Sequence, residues 1–206
     1  MGFYGNQVLP RALDLAMRGG GFARARARVT AGLDGEVLEI GFGSGLNLPY
    51  YPAGVQRVIA VDPATGARQL AARRATGRIP VEFRGRDAQA LPVADESVSH
   101  VVSTWTLCSI PDPGQALAEI YRVLRPGGTL RFAEHGLAPD PRVARVQHRL
   151  TPLHGRLVGG CRLDQPVSEL IAGSGLELSH LDTYYLAWPR AFSYTYEGAA
   201  AKLVAA

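Results

Sequence analysis

The sequence contains little cysteine and almost no lysine. Cys108 and Cys161 are its only cysteines, too few for a disulfide framework, and no Cys/His spacing matches a zinc motif, so we expect no metal site. Lys202 is the only lysine, and the formal net charge is +4. Nucleic-acid binding would require a clustered basic face with interleaved aromatic residues, so we expect no nucleic-acid partner.

Long apolar runs are also absent. The N-terminal stretch ALDLAM is short and carries Asp14, and no other apolar run approaches about 20 residues, so the sequence predicts no membrane span. The low cysteine content favours a reduced, cytoplasmic compartment. With 206 residues, 47% of them hydrophobic and 19% charged, the chain is expected to form a single domain with a buried core over residues 1–206.

Short runs rich in Val, Ile and Leu alternate with helical patterns in the first two thirds of the chain. This alternation predicts crossover connections and a parallel sheet, hence an α/β fold. The predicted strands lie at 36–40, 57–61, 81–84, 98–104 and 129–134, and the predicted helices at 64–75 and 113–124.

The alternation stops after Glu134, where an insert over residues 137–164 follows. Asp140 is suited to an N-cap and Pro141 to the first helical position. The helix that follows has an apolar stripe (Val143, Val146, Leu150) beside an arginine stripe (Arg142, Arg145, Arg149). Its spacing fits a cover over an acceptor site and equally a surface helix with a solvated basic face. A helix at 166–172 and strands at 177–185 and 190–197 complete the prediction.

A glycine-rich loop follows the first predicted strand, in LEIGFGSGLN. A dinucleotide-binding loop has the pattern G-x-G-x-x-G, but Leu46 occupies the third glycine position, which disfavours a nicotinamide-dependent oxidoreductase. The pattern is instead E-x-G-x-G-x-G, formed by Glu39, Gly41, Gly43 and Gly45. It resembles the first motif of class I S-adenosylmethionine-dependent methyltransferases.

Three downstream features support this resemblance. Asp62 and Pro63 end the second strand in VIAVDP, Asp87 and Ala88 follow the third strand in RGRDAQALP, and LRPGG precedes the fifth. The resemblance implies that Asp62 binds the ribose hydroxyls, that Asp87 binds the adenine amino group, and that the Ala88 backbone N–H binds a ring nitrogen. A helix N-cap is the alternative role for Asp62.

The resemblance also implies the architecture and the cofactor. The expected fold is a Rossmann-like, seven-stranded, mostly parallel sheet with an antiparallel last strand, and the expected cofactor is S-adenosylmethionine. Thr104 and Trp105 follow the fourth strand, at the sheet edge where open α/β sheets bind ligands. Trp105 is a candidate for the methyl-donor site, since a sulfonium cation favours aromatic faces, and an ordinary core tryptophan is its alternative.

A closer resemblance extends over essentially the whole chain. The segments FYGNQVLPRALDLA, GSGLNLPYYP, Glu134-His135, GGCRL and PR…YEG resemble small bacterial methyltransferases related to the animal alkyl-thiol methyltransferases. This resemblance implies a small, apolar acceptor, with a thiol as the first choice. Related enzymes act on quinone precursors and on phospholipid head groups. A non-catalytic sensor of S-adenosylmethionine is the alternative outside the enzymes.

Three residues are candidates for the acceptor site. His135 ends a central strand, where it fits a general base and equally a structural histidine. Cys161 is a candidate substrate contact, with inert core packing as its alternative. Tyr4 belongs to residues 1–34, which we expect to form an N-terminal helical lid, with simple aromatic packing as its alternative.

Overall fold

The computed structural model describes residues 4–75 and 77–204, so residues 1–3 of the expected lid lie outside it. Within these ranges the α-helices are α1 (Leu9–Ala16), α2 (Gly20–Thr30), α3 (Thr65–Arg74), α4 (Pro113–Val123), α5 (Pro141–Leu157) and α6 (Val167–Ala172). A π-helical turn spans Tyr4–Val8, and short 3-10 turns span Leu48–Tyr50, Leu107–Ser109 and Arg190–Phe192.

The same ranges contain seven strands. They are β1 (Gly35–Ile40), β2 (Val55–Val61), β3 (Val81–Phe83), β4 (Val98–Thr104), β5 (Leu124–His135), β6 (Glu177–Tyr185) and β7 (Tyr194–Ala201). They form one sheet in the order β3-β2-β1-β4-β5-β7-β6. The first five strands pair in parallel, whereas β7 is antiparallel to both β5 and β6. The predicted seven-stranded sheet with an antiparallel last strand is thereby confirmed.

The register of the central strands brings three loops to one edge of the sheet. Ile40, the last residue of β1, lies opposite Val61 of β2 and Ser103 of β4. The glycine-rich loop after β1 is therefore flanked by the loop after β2 and by the turn after β4. This is the carboxyl edge at which open α/β sheets bind ligands.

Both faces of the sheet are covered, so the central strands are buried on two sides. On one face, Leu38 and Phe132 pack with Leu117 and Ile120 of α4 in a cluster that also includes α6. On the other face, Val37 packs in a second cluster with Ala25 and Val29 of α2. Alternate residues of β1 thus enter opposite clusters, which explains the continuous apolar run of that strand.

Two predictions made from local patterns were wrong in part. The last strand was predicted at 190–197, but β7 occupies Tyr194–Ala201 and Arg190–Phe192 form a 3-10 turn. Tertiary pairing with β5 and β6 recruits the Ala-rich end of β7 despite its weak β-propensity. In α5 the predicted apolar stripe is not the buried side, because Val146 is 43% exposed whereas Gln147 and Thr151 are buried.

The N-terminal segment is fixed against α3 by charge and by close packing. The Asp14 carboxylate of α1 lies 2.6 Å from Nη1 of Arg74 and also pairs with Arg18. Near Gly66, in the first turn of α3, the backbone of the Tyr4–Val8 turn comes so close that a Cβ would lie 1.6 Å from the Asn6 carbonyl oxygen. The absence of a side chain at Gly66 therefore permits this contact.

No helix in residues 4–75 and 77–204 combines the length and the apolar character that crossing a membrane requires.

We expect Gly66→Ala to displace the Tyr4–Val8 turn, because the added Cβ overlaps the Asn6 carbonyl oxygen. Hydrogen–deuterium exchange should show faster exchange in residues 4–17 with little change in the sheet. Gly19→Ala is the control, since a Cβ at Gly19 would meet no heavy atom within 4 Å. Equal exchange in both variants would contradict the packing described here.

Candidate active site

A cavity of about 390 Å³ opens at the carboxyl edge of the sheet. Its walls come from the loops after β1 and β2, the turn after β4, helix α1 and the end of α5. The lining includes Tyr4, Leu9, Pro10, Leu13, Asp14, Met17, Arg26, Glu39, Gly41, Phe42, Gly43, Asp62, Pro63, Thr104, Trp105, Thr106, Arg156, Val158 and Gly159. The volume lies in the range of small-molecule and cofactor sites.

The glycine-rich loop passes close to the turn after β4. Gly41 has φ +66°, and a Cβ there would lie 1.9 Å from Oγ1 of Thr106. A side chain is therefore excluded both by the backbone conformation and by the neighbouring threonine. The Gly43 N–H donates a 2.7 Å hydrogen bond to Asp62, which joins the loops after β1 and β2. Gly45 belongs to the same loop but lies outside the cavity lining.

Asp62 stands where the resemblance places a ribose ligand. Its carboxylate accepts hydrogen bonds of 2.7 Å from the Gly43 N–H and from the Ala64 N–H. Each carboxylate oxygen thus keeps a further lone pair for a hydroxyl donor. Burial raises the pKa of Asp62, opposed by these two hydrogen bonds. The carboxylate thus binds two backbone N–H groups and lies in the cavity wall, but it does not cap α3, whose N-cap residue is Ala64.

Glu39 is a fully buried carboxylate under the cavity. Its Oε1 accepts a hydrogen bond from Nδ2 of Asn47 (2.9 Å) and its Oε2 accepts one from the Tyr51 hydroxyl (2.6 Å). The same Asn47 amide donates to Oγ1 of Thr104 at 3.1 Å, linking β1 to β4. Burial raises the pKa of Glu39 to about 7, although both hydrogen bonds oppose the shift.

Trp105 and Arg26 form a second wall of the cavity. Trp105 has φ +51°, which is uncommon for a non-glycine residue and turns the chain at the end of β4. Its ring packs edge-on against Phe22 at 4.9 Å, and the Arg26 guanidinium lies 4.7 Å from the ring centroid. Burial lowers the pKa of Arg26 to about 10. Within the described chain, its Nε and Nη1 atoms are buried without a hydrogen-bond partner.

Asp14 connects the N-terminal segment to the glycine-rich loop. Besides its contact with Arg74, it accepts a 2.5 Å hydrogen bond from the Ser44 hydroxyl. Burial raises its pKa, but hydrogen bonds from Arg74, Ser44 and Arg18 outweigh that effect and lower the pKa to about 2. Asp14 is thus ionised at neutral pH, and its contacts hold α1 over the cavity.

Buried Glu134 shapes the turn after β4. Its Oε1 accepts hydrogen bonds from the Ser103 hydroxyl (2.6 Å) and the Thr106 N–H (3.1 Å), and its Oε2 accepts one from the Cys108 N–H (3.3 Å). Burial raises its pKa. The sequence singled out Glu134 only as the neighbour of His135, whereas its contacts organise one rim of the cavity.

Five of the residues predicted for the site lie outside the cavity lining, Gly45 among them. Asp87 is exposed and accepts a hydrogen bond from the Gln89 N–H (2.9 Å), and Ala88 is buried. His135 and Cys161 contact each other, with Nδ1 and Sγ 3.6 Å apart. The other predicted residues in the lining are Tyr4, Glu39, Gly41, Gly43, Asp62, Pro63, Thr104 and Trp105.

Tyr4 closes one side of the cavity. Its hydroxyl donates a 2.8 Å hydrogen bond to the carbonyl oxygen of Leu157, at the end of α5, and 49% of the residue is exposed. The Tyr4–Val8 turn and the predicted insert therefore meet at the cavity mouth.

Sequence reasoning missed Arg26, and noted Asp14 only as a charge that argues against a membrane span. Arg26 stands in GFARARARV between two other arginines, so spacing along the chain does not distinguish it. Its burial depends on packing between α2 and the turn after β4. A charged residue inside the otherwise apolar ALDLAM segment was the only sequence signal for Asp14.

The sheet order, with the glycine-rich loop at the carboxyl end of β1, defines the class I, Rossmann-like methyltransferase fold. The family described as "Methyltransferase domain" matches residues 38–132. Human thiol S-methyltransferase TMT1A is 32% identical over 169 residues, covering 77% of this chain and 69% of the human protein. The chain belongs to this methyltransferase family, and it is an S-adenosylmethionine-dependent enzyme.

Other relatives are methyltransferases named for different substrates. Phosphatidylethanolamine N-methyltransferase of Cereibacter sphaeroides is 30% identical, covering 75% of this chain and 76% of that protein. Demethylmenaquinone methyltransferase of Clavibacter sepedonicus is 34% identical, covering 59% of this chain but 50% of that protein. The chain likewise spans 54% of rat TMT1B. A geranyl diphosphate methyltransferase solved with S-adenosylmethionine has the same fold, with a TM-score of 0.70, 14% identity and 97% of each chain covered.

The buried Glu39 predicts a pH-dependent stability. Its pKa is about 7 in the folded protein against 4.5 for an ordinary glutamate, so the folded state binds the proton more tightly. The resulting stabilisation is complete below about pH 4.5 and is lost as the pH rises through about 7. We expect Glu39→Gln to remove a pH dependence of at most about 3 kcal/mol.

Denaturant unfolding of the cofactor-free protein between about pH 5 and pH 8 measures this difference. Glu177→Gln, at the exposed start of β6, is the matched control and should follow the unmodified protein. Parallel profiles for the protein and its Glu39→Gln variant would contradict the prediction.

Proposed function

We propose that the enzyme transfers the methyl group of S-adenosylmethionine to a small, apolar thiol. The observation that carries the proposal is the combination of a cofactor loop with a mainly apolar wall in one cavity. Leu9, Pro10, Leu13 and Met17 line it from the N-terminal side, and Val158 lines it from the end of α5. The relatives rat TMT1B and human TMT1A, both thiol S-methyltransferases, support the same acceptor class.

The cofactor is proposed to lie along the loop after β1. Asp62 accepts the ribose hydroxyls, and Gly41 and Gly43 allow the close backbone approach that the amino-acid end requires. Nε and Nη1 of Arg26 have no hydrogen-bond partner within the described chain, and a guanidinium group suits a carboxylate. We therefore propose that Arg26 binds the cofactor carboxylate. Glu39 lies below the same end, where an ionised carboxylate favours the amino group and the sulfonium.

Asp87 and Ala88 remain predictions for the adenine end, since they lie outside the cavity lining. The loop that carries them is nevertheless close to the cavity wall. Arg86, which precedes Asp87, donates a 3.0 Å hydrogen bond to the carbonyl oxygen of Pro63.

A thiol acceptor fits the chemistry that the cavity offers. Methyl transfer from a sulfonium is an in-line displacement, in which the protein mainly aligns the nucleophile with the methyl group. A thiol is partly ionised near neutral pH and needs little help from a base. Among the described residues that line the cavity there is no histidine. The role of His135 as a base stays a prediction, since His135 lies outside the lining.

The N-terminal segment and the predicted insert are proposed to cover the acceptor. Tyr4 and Leu157 meet at the mouth, and Arg156 and Gly159 of the insert line the cavity. This arrangement excludes water from the reacting atoms once both segments are docked. It also explains why an acceptor without strong polar groups would bind there.

The experiment is a comparison of matched acceptors. The purified protein is incubated with S-adenosylmethionine and an alkyl thiol, the alcohol of the same chain, a quinol or phosphatidylethanolamine vesicles. Mass spectrometry then measures S-adenosylhomocysteine and the methylated product. We expect product from the thiol and none from the alcohol, because a thiol is partly ionised near neutral pH whereas an alcohol is not and is a much weaker nucleophile.

Other outcomes would assign a different acceptor or a different function. Turnover of the quinol or the phospholipid alone would assign the acceptor class named in the other two relatives. Cofactor binding without turnover of any acceptor would favour the non-catalytic sensor.

We expect Asp62→Asn to weaken S-adenosylhomocysteine binding by roughly 10- to 100-fold, because an ionised acceptor for the ribose hydroxyls is lost. Loop contacts also depend on Asp62, so calorimetry should compare S-adenosylhomocysteine with its 2′,3′-dideoxy analogue in both proteins. The ratio of the affinities for S-adenosylhomocysteine and for its dideoxy analogue should fall towards one in the Asp62→Asn variant.

Asp87→Asn is the control, since the contact predicted for Asp87 is with the adenine, which both ligands share, so this ratio of affinities should be unchanged. An Asp62→Asn variant that keeps the full preference for the ribose hydroxyls would refute the ribose assignment.

A further inference from the structure

Cys108, His135 and Cys161 form a compact group beside the cavity, termed here the Cys–His cluster. The two Sγ atoms lie 3.4 Å apart, and Sγ of Cys161 lies 3.6 Å from Nδ1 of His135. One donor atom from each of the three residues lies within 4.8 Å of the other two. The proposed methyl transfer uses none of these side chains, so their convergence needs a separate explanation.

The spacing of the Cys–His cluster is close to that of a tetrahedral zinc site. Zinc–sulfur bonds of about 2.3 Å and zinc–nitrogen bonds of about 2.0–2.1 Å place two sulfur ligands about 3.8 Å apart and a sulfur and a nitrogen about 3.6 Å apart. The Cys108–Cys161 and Cys161–His135 separations differ from these by about 0.4 Å or less, and the donor atoms of Cys108 and His135 lie within 4.8 Å of each other. Small side-chain rotations therefore suffice to surround an ion.

The backbone around the Cys–His cluster is fixed without the ion. The Glu134 carboxylate holds the Cys108 N–H, and the Arg162 N–H donates a 2.7 Å hydrogen bond to the Cys108 carbonyl oxygen. Nδ1 of His154 donates a 2.9 Å hydrogen bond to the Cys161 carbonyl oxygen. Outer hydrogen bonds of this kind orient the residues that bind a metal and raise its affinity.

Charge and access are also suited to a divalent cation. Cys108 and Cys161 are 1% and 4% exposed, and two thiolates neutralise the charge of one zinc ion. Burying a neutral complex costs far less than burying an isolated ion. Thr106, Ser109 and Gly159, each within two residues of one of the cysteines, line the cavity, so the Cys–His cluster lies close to the cavity wall.

We propose that Cys108, His135 and Cys161 bind a zinc ion through two sulfurs and one nitrogen. Three protein ligands leave a fourth position for water or another ligand. The ion would join the turn after β4, the end of β5 and the segment after α5. This proposal replaces the expectation of no metal site. Sequence analysis could not identify the site, because the two cysteines stand 53 residues apart and match no linear motif.

Cobalt(II) is the probe, because its tetrahedral thiolate complexes absorb in the near ultraviolet and the visible. The untagged, fully reduced chain is titrated with cobalt chloride and then with zinc chloride. We expect one cobalt ion per chain with thiolate charge-transfer bands, followed by loss of the bands as zinc replaces cobalt.

The variants identify the ligands. Cys108→Ser and Cys161→Ser should each lose thiolate intensity, and His135→Asn should weaken cobalt binding by at least about tenfold. His148→Asn is the matched control, because His148 is exposed and pairs with Asp164 away from the Cys–His cluster. Cofactor binding and thermal melting verify that each variant is folded.

The proposal fails if the reduced protein shows two free thiols and no cobalt bands. It also fails if air oxidation joins the two cysteines while no metal is taken up, since the pair would then be a redox couple. Bands that survive both cysteine substitutions would place the metal elsewhere. These readouts need no acceptor, so they are independent of the thiol experiment.

Discussion

The cavity depends on the close approach between the end of β1 and the turn after β4. A side chain at Gly41 would overlap Thr106, so the two segments meet only because that position has no Cβ. Two buried carboxylates stabilise the segments on either side of this contact. Glu39 accepts hydrogen bonds from the side chains of Asn47 and Tyr51, and Glu134 accepts hydrogen bonds from backbone N–H groups of the turn after β4. The remaining walls are positioned relative to this junction.

Much of the fold was predictable because its signals are local. Buried parallel strands appear as short apolar runs, and the bounds predicted for β4 and β6 match the structure. The strand order was not a local property and came from the resemblance. The position of β7 was misjudged because its pairing with two neighbours outweighs the weak β-propensity of its alanines.

The candidate site was predictable where a backbone motif defines it. Gly41, Gly43 and Asp62 are fixed by a loop that has a recognisable sequence, and all three line the cavity. Arg26 and Asp14 owe their places to tertiary packing, which leaves no periodic signal in one sequence. His135 was predicted correctly at a strand end, but strand position alone does not determine which neighbour its ring meets, and the ring contacts Cys161.

The interior place of β7 has a consequence for biosynthesis. Because β7 lies between β5 and β6, β5 lacks a partner on one side and β6 lacks any strand partner until residues 194–201 have left the ribosome. A nascent chain can assemble β1 to β5 early, yet β5 then presents an open edge that other chains can pair with. Completion of the sheet is therefore a late event in folding, and protection of the β5 edge by chaperones would matter most during that interval.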